Sequence, residues 1–197
     1  MNKSTDIKKL EKTNGYSIFI NVYSNGLNMQ PKKQLDRNTL IYLVNEITKN
    51  HGIKNTPPVK LGRLMYLLWL EYASLQPGLT FPPNSPMANM RFINYERGPA
   101  EELSSDNFET VRNEIISGHI PTFDQTAFKL TEKHNLEQAF NTVRDVYSMH
   151  RATDLCNFIM YDLPTCQFKP KICELTFSDQ EFIRELRTFM RKRDRLK

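Results

Sequence analysis

A cysteine and a histidine near the middle of the second half of the chain could do nucleophilic chemistry. His150 and Cys156 are six residues apart, and a thiolate activated by a histidine is a common enzymatic nucleophile. Six positions do not bring two side chains together on one helical face, and no third group to orient the histidine is evident. Cys156 also lies between Leu155 and Phe158, which is typical of a core thiol. The pattern predicts a structural cysteine.

The three cysteines do not form a metal-binding or disulfide pattern. Cys156, Cys166 and Cys173 follow the spacing C-x9-C-x6-C, which lacks the paired ligands of structural zinc sites even if His134 or His150 joins them. An odd number of cysteines, without CxxC spacing and without a secretory signal, indicates a reducing, cytoplasmic location. We expect neither a metal nor a cofactor.

Glutamates are the candidates for acid–base chemistry. Glu96, Glu101 and Glu102 lie close together in sequence, and paired carboxylates can act as general acid and base. Adjacent glutamates usually point in different directions, so a solvated helix start is the simpler interpretation. The sequence also contains no phosphate-binding glycine loop, no H-E-x-x-H and no G-x-S-x-G. We therefore predict that the chain is not an enzyme.

Basic residues at the C-terminus form the strongest charge pattern. From Arg184 to Lys197 there are seven basic and two acidic residues, which account for the whole net charge of +5. Four arginines of this segment would suit a phosphate backbone: Arg184, Arg187, Arg191 and Arg193. No recognised DNA-reading motif accompanies them. Nucleic-acid binding is one hypothesis, and a solvated helix end or a protein-binding surface are the others.

A central helix is the element around which the other segments are expected to pack. The stretch Val59–Tyr72 is apolar nearly all round, with only Lys60, Arg63 and Glu71 charged. A helix of this kind has to be enclosed by other helices. It is too short and too often charged to span a bilayer.

Local signals predict the elements around this helix. Asp36 is the expected N-cap of a helix at 37–50, and Ser178 with Glu181 forms the capping box of a last helix at about 179–193. Further helices are predicted between Asp106 and Gly118, from a cap at Thr131 to Tyr147, and over 152–160. A strand at Tyr16–Tyr23 runs into the hairpin dipeptide Asn25-Gly26, and the aromatic stretch Arg91–Pro99 is stopped by Gly98-Pro99.

These signals together predict a mainly α fold. It is of the α+β type only because of a small N-terminal β element. We expect a multi-helix globular domain around a central buried helix. The chain divides into an N-terminal extension at 1–56, a helical domain at 57–166 and a C-terminal basic helix at 167–197.

Three stretches between about residues 57 and 166 resemble the Panacea antitoxin domain, a family also described as phage-associated GepA-like proteins. The central helix carries the K-L-x-x-L-x-Y pattern of the family's opening helix, and the aromatic stretch is similar to its aromatic-then-Y-G-P-V segment. The helical half from Leu130 to Leu155 is the third stretch. The residues that carry the resemblance are Lys60, Leu61, Leu64, Tyr66, Phe92, Tyr95, Gly98, Pro99, Val143, Tyr147 and Leu155. Arg97 and Ala100 stand where the family has tyrosine and valine.

The resemblance implies a non-enzymatic helical domain that neutralises a toxin or acts as an adaptor for proteolysis. It implies partner binding near the rigid turn formed by Tyr95, Arg97, Gly98 and Pro99, and a tight turn beside a helix is the alternative. We expect a cytoplasmic, antitoxin-like or phage-associated module whose partner is a protein, a toxin being the first candidate, and not a membrane. The alternative is nucleic-acid binding through the C-terminal basic helix.

Overall fold

The computed structural model describes residues 35–82, 85–102, 108–122 and 129–196. The helices are α1 (Arg37–Thr48), α2 (Pro58–Ser74), α3 (Phe108–Ile116), α4 (Leu130–Asp145), α5 (Ala152–Asn157), α6 (Thr165–Phe168) and α7 (Asp179–Lys192). Two antiparallel strands, β1 (Phe92–Tyr95) and β2 (Gly98–Glu101), form a small sheet. The prediction of a mainly α fold with a small β element is confirmed. The predicted strand at Tyr16–Tyr23, the Asn25-Gly26 turn and the Asp106 cap lie outside the described residues.

Helix α2 is buried on all sides, as predicted. Every residue from Leu61 to Ala73 is buried, because α1, α4, α5, α7 and β2 all pack against it. Pro58 occupies the first helical turn, where its missing N–H would have no partner anyway. Trp69 lies at one end of the core, within ring-contact distance of five other aromatic residues: Tyr66, Phe81, Phe92, Phe177 and Phe182.

The cap predictions are confirmed for α1 and α7 and wrong for α4. Asp36 accepts a hydrogen bond from the N–H of Thr39 at 2.9 Å, and Ser178 with Glu181 forms the predicted capping box of α7. Thr131 does not cap α4, because the helix already begins at Leu130. The Glu132 carboxylate accepts from the N–H of Lys129 at 3.1 Å and so fixes the earlier start.

The two strands form a hairpin that the sequence did not predict. Glu96 and Arg97 form its turn, and Gly98 has the φ of 101° that the return strand requires. Pro99 is therefore the second residue of β2 instead of ending the aromatic stretch, and its missing N–H is tolerated because β2 is an edge strand of the two-stranded sheet. Glu101, expected on a solvated helix start, is only 1% exposed at the end of β2.

One hydrophobic cluster extends over most of the described chain. It includes Leu40 of α1, the apolar residues of α2, Phe140 of α4 and Phe189 of α7. Residues from all three predicted segments, 1–56, 57–166 and 167–197, thus contribute to the same core. Within the described residues, no helix combines the length and apolar character needed to cross a bilayer.

Buried polar contacts join α7 to α2. The Tyr66 hydroxyl donates to Glu185 Oε1 at 3.1 Å, and both side chains are fully buried. Glu71 accepts from the Tyr147 hydroxyl at 2.8 Å and from the Arg193 guanidinium at 2.6 Å. Burial raises the pKa of Tyr147, and the neighbouring Glu71 carboxylate raises it further. Tyr147 therefore keeps its proton and remains a hydrogen-bond donor.

The close approach of α2 to β2 gives a first prediction. A Cβ on Gly62 would lie 2.6 Å from the Cβ of Ala100, so Gly62→Ala has to push the helix and strand apart. We expect a loss of about 1–3 kcal/mol in the free energy of unfolding, although alanine favours helix over glycine by about 1 kcal/mol. Urea denaturation measures the effect.

The matched test is the double variant. Ala100→Gly removes the atom that Gly62→Ala would meet, so the double variant should be more stable than Gly62→Ala alone. If Gly62→Ala were as stable as the wild type, the contact between α2 and β2 described above would be wrong.

Candidate functional site

The four residues predicted to bind a partner come together at the tip of the hairpin. Tyr95 and Gly98 pair across the end of the sheet, and Arg97 occupies the turn with its side chain exposed. Gly98 and Pro99 are buried, so they shape the turn rather than present side chains to solvent. The exposed groups at the tip are those of Glu96 and Arg97.

Arg63 of α2 fixes this tip. Its guanidinium donates to the carbonyl oxygen of Arg97 at 2.8 Å and to that of Pro99 at 2.9 Å. Arg63 is only 3% exposed, and hydrogen bonds from a charged donor are stronger than neutral ones, about 1.5–3 kcal/mol each. The side chain therefore holds the hairpin against the central helix at two points.

A segment beyond α6 covers the other edge of β1. The N–H of Asn94 donates to the carbonyl of Cys173, and the N–H of Ile172 donates to the carbonyl of Asn94, both at 2.9 Å. The buried Asn94 side chain also donates to the carbonyls of Lys169 and Pro170, each at 3.1 Å. The N–H of Leu175 donates to the carbonyl of Phe92 at 2.7 Å, so the segment runs antiparallel along β1, away from the hairpin tip.

Two grooves flank the hairpin tip. The first, of about 480 Å³, is lined by Pro58, Val59, Arg63, Tyr95, Glu96, Arg97, Ala100 and Ile172. The second, of about 330 Å³, is lined by Val59, Glu96, Arg97, Ala152, Thr153, Cys156, Asn157, Met160 and Tyr161. Val59, Glu96 and Arg97 belong to both grooves, so the tip forms the ridge between them. We call this region, the tip with its two grooves, the hairpin face.

Exposed apolar side chains line the hairpin face. Tyr161 is 73% exposed and Ile172 is 65% exposed. Ile172 also has a φ of 58°, which is unfavourable for a β-branched residue by about 1–3 kcal/mol. Strained backbone of this kind persists where the surroundings fix it, and it clusters at functional sites.

The three stretches of the sequence resemblance contact one another. Lys60 in the first turn of α2 donates to the carbonyl of Ser148, just after α4, at 2.6 Å, and burial lowers the pKa of its ammonium group. Arg63, one turn further along, donates to the hairpin tip. The opening helix therefore joins the aromatic stretch to the helical half.

The candidate nucleophile Cys156 and the candidate base His150 have different surroundings. His150 Nε2 is 2.7 Å from the carbonyl oxygen of Leu196. Cys156 is half-buried in the second groove instead of lying in the core as predicted, because the neighbouring Leu155 is the residue of α5 that is buried in the core. In the part of the chain that the structure describes, no group of three or more histidine, cysteine, aspartate or glutamate residues could hold a metal ion.

The C-terminal arginines divide into two groups. Arg184, Arg187 and Arg191 are exposed along α7. Arg193 is turned inward, and its guanidinium forms an ion pair with the buried Glu71. The nucleic-acid hypothesis grouped all four arginines, because the sequence does not show that Arg193, just after α7, pairs with Glu71.

Sequence reasoning missed Arg63, Tyr161 and Ile172. For Arg63 a signal existed, because a charged residue within an apolar run must find a buried partner if the helix is enclosed. No sequence signal existed for Ile172, because a positive φ is usually predicted from glycine or asparagine and this position is an isoleucine.

Comparisons of the chain with protein-family models, with curated proteins and with solved structures found no match.

The two hydrogen bonds of Arg63 give the second prediction. Arg63→Met keeps the length of the side chain but leaves the carbonyls of Arg97 and Pro99 without their donor. We expect the free energy of unfolding to fall by about 2–3 kcal/mol and amide hydrogen exchange in β1 and β2 to become faster.

Arg97→Gln is the matched control. The Arg97 side chain is exposed, and its carbonyl stays in place, so the stability should change by less than about 0.5 kcal/mol. Equal stability of Arg63→Met and Arg97→Gln would show that Arg63 does not hold the hairpin.

Proposed function

We propose that this chain is a non-enzymatic protein-binding module, antitoxin-like or phage-associated, which neutralises or adapts a partner protein by binding it directly. The partner would dock on the hairpin face. The resemblance of Lys60, Tyr66, Gly98 and Pro99 to the Panacea pattern supports the antitoxin-like part of this proposal. The cysteine usage supports a cytoplasmic location.

The observation that carries the proposal is Ile172. A β-branched apolar side chain at positive φ, mostly exposed and lying beside a groove, has no evident use in folding. Apolar residues that a fold holds rigidly at the surface are typical anchors of protein interfaces. Tyr161, on the other side of the tip, adds a second exposed anchor, and tyrosine is a residue type enriched in interfaces.

The surroundings of the anchors also favour a protein partner. Both grooves are lined by apolar residues, and the ridge between them carries one acidic and one basic side chain, Glu96 and Arg97. Apolar pockets with a few charged groups at their edge are the usual composition of a protein interface. The rigid link from Arg63 to the tip reduces the entropy that binding would otherwise cost.

The test is affinity capture with the full chain in its native host, with nuclease treatment and high-salt washing, followed by mass spectrometry. We expect one stoichiometric protein. If the captured protein is a toxin, its expression alone should arrest growth. Co-expression of this chain should then restore growth.

The third prediction concerns Ile172→Asn. Asparagine tolerates positive φ, so stability should stay the same or rise by up to about 1 kcal/mol, while the affinity for the captured protein should fall about tenfold or more. The matched control is Met149→Asn, which removes an exposed apolar side chain outside both grooves and should leave the affinity unchanged.

Two results would contradict the proposal. The first is that no stoichiometric protein survives the washes. The second is that a protein is captured but binds Ile172→Asn and Met149→Asn with equal affinity, which would exclude the hairpin face.

A further inference from the structure

Helix α7 has two long faces, and the described core uses only one of them. Glu185, Leu186 and Phe189 are buried against the rest of the protein. The opposite side, here named the outer face of α7, consists of Gln180, Ile183, Arg184, Arg187, Met190 and Arg191. These positions recur every three or four residues, which is the spacing by which one helix packs on another. The face is about 16 Å long, or three helical turns.

The basic residues of this region separate into a set that forms ion pairs with the rest of the protein and a set on the outer face. Lys192 and Arg195 pair with Asp162 at 3.0 and 2.7 Å, and Arg193 pairs with Glu71. Arg184, Arg187 and Arg191 form no ion pair with any residue in the ranges that the structure describes. The outer face therefore carries three positive charges that the described part of the chain does not neutralise by ion pairing.

Apolar side chains accompany these charges. Ile183 and Met190 are two turns apart on the outer face, and Met190 is 38% exposed. A phosphate backbone would leave both without a contact, and the six residues include no aromatic ring on which a base could stack. An acidic amphipathic helix would satisfy both features, because its apolar side chains would cover Ile183 and Met190 while its carboxylates pair with the arginines.

Residues 1–34 contain six lysines against two acidic residues, so their charge has the same sign as the outer face. Charge complementarity therefore favours a helix of another molecule as the occupant. We propose that the outer face of α7 is a second docking surface, which binds an acidic amphipathic helix of a partner protein.

The probe is a fluorescein-labelled designed peptide of about five helical turns, with leucines at heptad spacing and glutamates beside them. Fluorescence anisotropy measures its binding to the full chain over a range of salt concentrations. The comparison probes are a peptide of the same composition in scrambled order and a single-stranded oligonucleotide. We expect binding of the ordered peptide only, weakening as salt rises.

Two variants separate the charges from the apolar residues. Arg184→Gln/Arg187→Gln/Arg191→Gln and Ile183→Ser/Met190→Ser should each weaken peptide binding about tenfold or more. Lys54→Gln/Lys129→Gln/Arg151→Gln removes the same charge from exposed positions elsewhere and should change the affinity by less than about twofold. Thermal unfolding verifies that all three variants are folded.

Each other outcome would overturn the proposal. Absence of peptide binding, or equal binding of the ordered and scrambled peptides, would exclude a helix-docking surface. Oligonucleotide binding that needs the arginines but not Ile183 and Met190 would identify a nucleic-acid interface instead. Self-association that the apolar variant abolishes would identify a second copy of the chain as the occupant.

Discussion

The complete burial of α2 is the constraint on which the rest of the structure depends. A helix enclosed on every side cannot leave its polar groups in water, so a polar group without a partner inside the protein costs free energy. Arg63 donates to the carbonyls of the hairpin tip, Tyr66 donates to Glu185, and Glu71 accepts from Tyr147 and Arg193. Apolar packing drives the enclosure, and these polar contacts fix which elements take part and where they lie.

The hairpin face follows from this constraint. Arg63 and the close contact of Gly62 with Ala100 hold β2 on the helix, and β1 holds the segment around Ile172 by backbone hydrogen bonds. Because Ile172 is fixed by its neighbours, its unfavourable φ can persist. The chain therefore presents an apolar side chain to solvent on a support that the central helix makes rigid.

The sequence predicted what local signals determine and missed what distant partners determine. The enclosed helix, the Asp36 cap and the Ser178–Glu181 capping box each depend on residues a few positions apart, and all three are present. The covering segment depends on Asn94 meeting residues about 75 positions later, a pairing that no local pattern indicates. The hairpin is local, but its turn dipeptide Glu96-Arg97 is not one of the usual hairpin-turn dipeptides. Arg193 points inward for the same reason, because its partner Glu71 lies 122 positions earlier. Of the candidate site, the sequence located the hairpin tip but not its apolar anchors.

The C-terminal arginines divide into one that the fold needs and three that it does not need. Arginine side chains at a buried interface must be neutralised, since an unpaired buried charge costs several kcal/mol, and Arg193 meets that demand through Glu71. Arg184, Arg187 and Arg191 need no such partner, because their side chains are exposed on the described part of the protein. A helix needs only its inner face to dock on α2, so the fold does not require three arginines in register on the opposite side. Their placement along Ile183 and Met190 is what the proposed docking of an acidic helix would use, because complementary charge with apolar contact is the chemistry of such a helix.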